Sequence, residues 1–161
     1  RARMAQTGAL AAHCPTSNLF LGSGLFDFDR AGASGMPVSL ATDVGGGTSF
    51  SMLQTMNEAH KVARMGGHHL SATRMFWLAT AGAAAALDLA DKVGTLAEGS
   101  EADFVVLDPA ATPLLARRTA HVESLEELLF ALATLGDDRA VFETCVAGER
   151  VHAREQRVRR P

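Results

Sequence analysis

An α/β fold with parallel strands is the class this sequence predicts, and three observations predict it. Two short apolar runs, Ala9 to His13 and Pro37 to Thr42, flank a stretch of helical character. The order strand, helix, strand favours a parallel pair joined by a crossover. Apolar residues at helical spacing then dominate residues 51 to 89, before turn-rich sequence introduces further strands near 103 and 141. With 161 residues, 47% of them hydrophobic and 20% charged, the chain sits in the globular class and is long enough for a sizeable core.

Each element has a local reason. Ala9 to His13 reads as a buried strand stopped by Pro15, which biases the residue before it away from helix. Residues 16 to 24, TSNLFLGSG, are rich in turn formers and read as a loop. Leu25 to Ala33 reads as a short helix closed near Gly32 and Gly35. Pro37 to Thr42 is the second strand. Ser51 to Met65 places Met52, Met56, Ala59 and Ala63 on one helical face and ends at Gly66-Gly67. Ser71 caps a helix through Met75, Phe76, Leu78 and Ala79, and Thr80 to Leu89 is alanine-rich and helical, weakened at its start by Gly82. Asp103 to Leu107 is a strand stopped by Asp108-Pro109. Ser124 caps an amphipathic helix with Leu125, Leu128, Leu129 and Leu132 on one stripe, expected to face the core. Val141 to Val151 reads as a hairpin about Ala147-Gly148-Glu149. The tail REQRVRRP, 154 to 161, is polar and basic and reads as solvated and disordered. No internal repeat is present.

Bulk properties exclude several classes of function. A net charge of −3 gives no reason to expect nucleic acid or an anionic membrane as partner. Two cysteines, Cys14 and Cys145, are too few for a disulfide framework and fit a reducing cytoplasm. No apolar run reaches the roughly 18 residues of a membrane span. The chain begins Arg1-Ala2-Arg3-Met4, as if cut from something longer.

The chemistry concentrates in SLATDVGGGTSFSM, residues 39 to 52. A strand there delivers Asp43 and is followed by Gly45-Gly46-Gly47. A phosphate cradle is a poor reading. The Walker pattern needs a lysine after its last glycine, whereas Gly47 is followed by Thr48-Ser49-Phe50 and the next cation is Lys61. The glycines also lack dinucleotide-binding spacing, and Asp43 would repel a phosphate. A working carboxylate beside small residues fits better, with a turn-capping aspartate as the bland alternative. Spacing alone does not separate those two.

Other candidates are weaker. His13 ends the first strand, where a lone histidine is more often structural than a ligand. His68-His69 are adjacent and lack the i, i+4 spacing of a metal pair, so a solvated turn is their reading. His60, His121 and His152 carry no pattern. Cys14 has no basic partner in sequence and reads as a small buried hydrophobe. The H-x-E with P-C-x-x-C zinc signature and the G-x-S-x-G elbow do not occur. Trp77 beside Phe76 reads as core.

Several motifs nevertheless converge. HCPTSNLFLGSGLF (13 to 26), ATDVGGGTSFSM (41 to 52), VGTLAEGSEADFVVLD (93 to 108) and LGDDRAVFETCVAGERV (135 to 151) occur in that order. Together they resemble the C-terminal part of the guanine deaminase family within the amidohydrolase superfamily. The third is shared widely across the superfamily, whereas the first two and the LGDDR stretch are narrower.

The resemblance implies the C-terminal part of a (β/α)8 TIM-type barrel, its last two strands and helices, over residues 1–91. Residues 92–153 would contribute to a small β-sandwich and add a terminal helix, and 154–161 would be the basic tail. Asp43 matches the position that contacts the single catalytic Zn2+ and takes a proton from the attacking water, so the resemblance makes it both catalytic and metal-binding. His13 falls near the pocket rim, where a substrate-binding or positioning role follows. Guanine is the implied substrate, xanthine and ammonia the products. A cytoplasmic homodimer is the implied form of the complete enzyme. The remaining metal ligands and the proton-shuttling glutamate of the family have no counterparts here. One aspartate cannot supply the three protein ligands a catalytic zinc normally has. Two strands cannot close a barrel. The chain alone is therefore expected to be inactive. Two alternatives stay open: an amidohydrolase acting on another aminopurine or a triazine, and a non-catalytic piece that acts only by association.

Overall fold

The computed structural model describes residues 2–154. A short helix α1 (Ala2–Gln6) leads into β1 (Ala11–His13), α2 (Pro15–Leu21) and α3 (Phe28–Ala33). These return the chain to β2 (Val38–Leu40), which pairs parallel with β1 in the register Ala11–Val38, Ala12–Ser39, His13–Leu40. The strand–crossover–strand order read from the sequence is therefore present. Both strands are shorter than their apolar runs, and Asp43 lies three residues beyond the end of β2.

α2 is a correction, because TSNLFLGSG reads as a loop. Pro15 stands in the first turn, where its fixed φ favours a helix and its missing N–H costs nothing. The Asn18 amide closes that turn on the Cys14 carbonyl at 2.9 Å, and Gly22, at φ 69°, ends the helix in the left-handed conformation. Propensity favoured a turn here, but proline and glycine at the right ends made a helix. α3 is shorter than expected, because the Asp27 side chain caps it by accepting from the Arg30 amide at 2.8 Å.

Most of the core is helical. α4 (Met52–Met65), α5 (Ala72–Ala79), α6 (Ala81–Ala86) and α8 (Leu125–Leu135) surround Leu53, Met56, Leu70, Met75, Leu78 and Leu132. Each such side chain taken from water contributes about 1.5–3 kcal/mol. Ala59 and Ala72 are fully buried, and their small size lets helices approach closely. Ser71 and Ser124 cap α5 and α8 as the sequence predicts, and Ser51 caps α4 in the same way. Glu126 of α8 adds a long-range cap: its carboxylate accepts from the Ala72 amide at 2.5 Å and the Thr73 amide at 2.9 Å. Burial pushes the Glu126 carboxyl up, but these amide bonds outweigh it and hold the group below the usual range.

Two further residues and one helix depart from expectation. Trp77 is 41% exposed, with the Arg74 guanidinium 3.9 Å above its ring centroid. Its ring lies so close to Gly82 that a Cβ there would come within 2.4 Å of it. Leu125 lies on the predicted stripe yet is 64% exposed, because it begins α8 before the helix reaches the core. The proline-initiated helix α7 (Pro113–Thr119), capped by Thr112 and seated by the buried Leu115, has no counterpart in the sequence reading.

The second sheet is antiparallel, in the order β3 (Phe104–Leu107), β4 (Val141–Val146), β5 (Glu149–Ala153). Ala147 and Gly148 both have positive φ, 51° and 79°, as a two-residue hairpin turn requires. The Asp103 carboxylate accepts from the Ala147 amide at 2.6 Å, which supports that conformation. Phe104, Val105 and Val106 stay 36–52% exposed, so β3 presents an apolar strand without cover among the described residues. The expected disordered tail lies largely outside the described residues. Its first member, Arg154, is ordered and pairs with Asp108, whose carboxyl that bond holds below its ordinary range.

Candidate active site

β1 and β2 end side by side, and their C-terminal ends carry the polar residues. The Ala41 amide donates to the His13 carbonyl at 3.1 Å, extending the parallel ladder past both strands. Thr42 and Asp43 then leave β2 and turn sharply. Asp43 has φ 49°, a left-handed conformation that aspartate tolerates better than most residues. The turn closes where the Gly47 amide donates to the Asp43 carbonyl and a bridge joins Val44 to Gly47.

The start of α2 lies directly against this turn. Thr16 and Ser17 are buried, at 4% and 3% exposure, and the Thr16 hydroxyl donates to the Thr42 carbonyl at 3.3 Å. A Cβ on Gly46 would stand 2.9 Å from Ser17 Oγ and 3.2 Å from Asp43 Oδ2. On Gly47 it would meet the Thr42 carbonyl at 2.1 Å. Gly46 clears space beside the carboxylate, and Gly47 lets the turn close against the Thr42 carbonyl.

Asp43 itself is exposed and makes no side-chain hydrogen bond or ion pair among the described residues. Its oxygens are free to accept a proton or to join a cation. Burial, and then the Asp43 charge, push the Cys14 thiol up, so it stays protonated at neutral pH. Among the described residues no group of three or more His, Cys, Asp or Glu side chains is placed to hold a metal. Asp43 suits a metal as one donor, and the described residues do not complete a ligand set.

His13 is 1% exposed and lies behind the turn. Its ring stacks on Phe26 at 4.5 Å between centroids and meets Phe28 edge-on at 5.2 Å. Among the described residues neither ring nitrogen has a hydrogen-bond partner. Burial lowers its pKa from 6.5 to about 4, and the nearby Asn18 amide only partly opposes this. His13 is thus a neutral aromatic wedge at ordinary pH.

The remaining histidines take structural or surface places. His60 Nδ1 faces the Leu70 carbonyl at 3.1 Å, and His68 Nδ1 lies 2.6 Å from the Asp29 carboxylate. His69, His121 and His152 are exposed. A groove of about 540 Å³, lined by Met36, Val38, Leu70, Trp77 and the His68–Asp29 pair, lies elsewhere and includes none of the residues around Asp43. The sequence reading singled out Asp43 and His13 but passed over Thr16 and Ser17. The signal for them was Pro15, which starts the helix that carries both hydroxyls to the turn.

The chain is similar to known proteins. The chain is 49% identical to the guanine deaminase of Escherichia coli K12 over 152 residues, which are 94% of this chain and 35% of that protein. The solved E. coli guanine deaminase superposes with a TM-score of 0.92 at 48% identity, covering 96% of this chain and 36% of that one. A guanine deaminase from C. acetobutylicum, solved with guanine in its active site, superposes with a TM-score of 0.77 at 26% identity, covering 92% and 35%. The chain thus spans about a third of the length of these relatives. The family described as "Amidohydrolase family" matches residues 1–151. This chain belongs to the amidohydrolase family.

Proposed function

We propose that this chain is the C-terminal portion of a zinc-dependent guanine deaminase, and that Asp43 is its contribution to the chemistry. The single observation that carries this reading is the Asp43 carboxylate at the exit of β2, without a side-chain partner among the described residues and with Gly46 clearing the space beside it. The 49% identity to the E. coli enzyme supports guanine over other heterocycles. In this reading β1 and β2 are the seventh and eighth barrel strands within residues 1–91. The exposed apolar β3, with β4 and β5, is the 92–153 contribution to a β-sandwich, and the complete enzyme is a cytoplasmic homodimer.

The reaction adds water to C2 of guanine and breaks the C2–N bond to the amino group, which leaves as ammonia and gives xanthine. A zinc ion held by the full ligand set would acidify that water toward neutrality. Asp43 supplies one donor oxygen and holds the proton that the water gives up, at its carboxylate. His13 acts from behind. Its ring packs on Phe26 and Phe28 and steadies the end of β1 beside the site. With one donor, the chain alone neither holds zinc tightly nor turns over guanine.

The test is a chimera in which this chain replaces the matched third of the E. coli enzyme. Conversion of guanine to xanthine by the chimera, and none by the chain alone, is the expected result. A folded chimera that binds zinc but deaminates a different aminopurine in preference to guanine would overturn the substrate reading.

A further inference from the structure

The residues that hold Asp43 in place carry a second inference, which rests on the reading of Asp43 as the working carboxylate. We infer that Thr16 and Ser17, the buried hydroxyl pair at the start of α2, are positioning residues for the Asp43 carboxylate. Thr16 fixes the backbone of its turn, and Ser17, with Gly46, bounds the space into which the side chain can rotate.

Asp43 stands in the left-handed region, which costs a non-glycine residue free energy and persists only when its surroundings hold it. The hold comes from α2. Thr16 Oγ1 donates to the Thr42 carbonyl, the acceptor on the peptide that enters Asp43. The same oxygen lies 2.9 Å from the point a Gly47 Cβ would occupy, so it sits between the two ends of the turn. The platform is fixed in turn: Pro15 sets the first φ of α2, and Pro15, Thr16 and Ser17 form its buried face.

Side-chain orientation is governed separately. The space beside Asp43 Oδ2 is bounded by Ser17 Oγ and by Leu21 Cδ1, which would lie 2.9 Å and 3.4 Å from a Cβ on Gly46. Gly46 does not have a positive φ, so alanine is compatible with its backbone. Its obstacles are side-chain atoms, one of them the carboxylate oxygen itself. A methyl group there turns the carboxylate away while leaving the turn intact. Small errors of placement at a reacting centre are costly, since a shift of about 1 Å can cost about a hundredfold in rate.

The experiment uses the E. coli chimera described above and reads two independent quantities, amide hydrogen exchange across residues 41–50 and the kinetics on guanine. Thr16→Val removes the hydroxyl at nearly constant shape. It should speed exchange at residues 42–47 and lower kcat by about tenfold, with KM changed by less than about twofold. Thr16→Ser should restore both. Gly46→Ala should leave exchange unchanged yet lower kcat, and the double variant Ser17→Ala/Gly46→Ala should recover most of the loss. Wild-type exchange and kcat in Thr16→Val, or a loss that serine does not rescue, would overturn the role of Thr16. If that variant does not fold, an unaltered kcat in Gly46→Ala overturns the inference alone. Should exchange respond as stated while the parent chimera fails on guanine, the functional reading fails and the positioning role stands.

Discussion

Acid should destabilise this protein through His13, and the size of the effect follows from its burial. The imidazole is 1% exposed, wedged between Phe26 and Phe28, with both nitrogens unpartnered among the described residues. Desolvation holds its pKa at about 4, against 6.5 for an unperturbed histidine. Between those values the unfolded chain takes up a proton that the folded one refuses, so stability falls as pH falls. The gap corresponds to about 3 kcal/mol lost between pH 7 and 4, of which about 1.4 kcal/mol is already gone at pH 5.5. Below pH 4 both states are protonated and this contribution to the slope vanishes. Urea unfolding followed through Trp77 at pH 7, 5.5 and 4 measures it, with His13→Phe as the reference. Phenylalanine keeps an aromatic ring in the slot and removes the titration. Carboxylates that weaken in acid are common to both proteins and cancel in the difference. The stability gap between the two should widen by about 3 kcal/mol in favour of His13→Phe from pH 7 to pH 4. Parallel pH curves, or an NMR midpoint for His13 near 6.5, would refute the reasoning.

Other substitutions test separate parts of the account. Asp43→Asn in the E. coli chimera removes the proton acceptor and should cut kcat by about a thousandfold with little change in melting temperature. Glu126→Ala removes both acceptors that cap α5 and should cost about 1–2 kcal/mol in urea unfolding at neutral pH. Because the Glu126 carboxyl is held low, its contribution is present above the ordinary carboxylate range and is lost as pH falls through its folded value. Gly82→Ala drives a methyl into the Trp77 ring and should lower the melting temperature and shift tryptophan fluorescence. An unchanged spectrum would show that the two helices are not in that contact.

How much of this was legible in the residues depends on how local each signal was. The caps of α5 and α8 were legible because a cap is a short-range bond: Ser71 and Ser124 each accept from the amide three residues on. The hairpin at Ala147-Gly148 was legible for the same reason. Asp43 stood out because three consecutive glycines follow it closely, yet its lack of a side-chain partner among the described residues and its left-handed φ are facts of packing. α2 was hidden because Thr16, Ser17 and Asn18 favour turns when isolated, and only their burial against the Thr42–Gly47 turn gives them another role. His13 was placed correctly at a strand end, but its enclosure depends on Phe26 and Phe28 returning from the crossover. Trp77 shows the opposite failure: a large aromatic beside Phe76 reads as core, while the structure stacks it under Arg74 at the surface. The resemblance to guanine deaminases is what favours a working carboxylate over a turn cap for Asp43, a choice that spacing left open.

The central claim is that this chain supplies one carboxylate to a zinc site completed by a larger protein. Zinc content and guanine turnover, measured together on the chain alone, on the E. coli chimera and on its Asp43→Asn variant, test it most directly. No tight zinc and no xanthine are expected from the chain alone, about one zinc per chimera with turnover, and loss of turnover in the variant. Stoichiometric zinc with turnover in the isolated chain, or an Asp43→Asn chimera working at the parent rate, would contradict it.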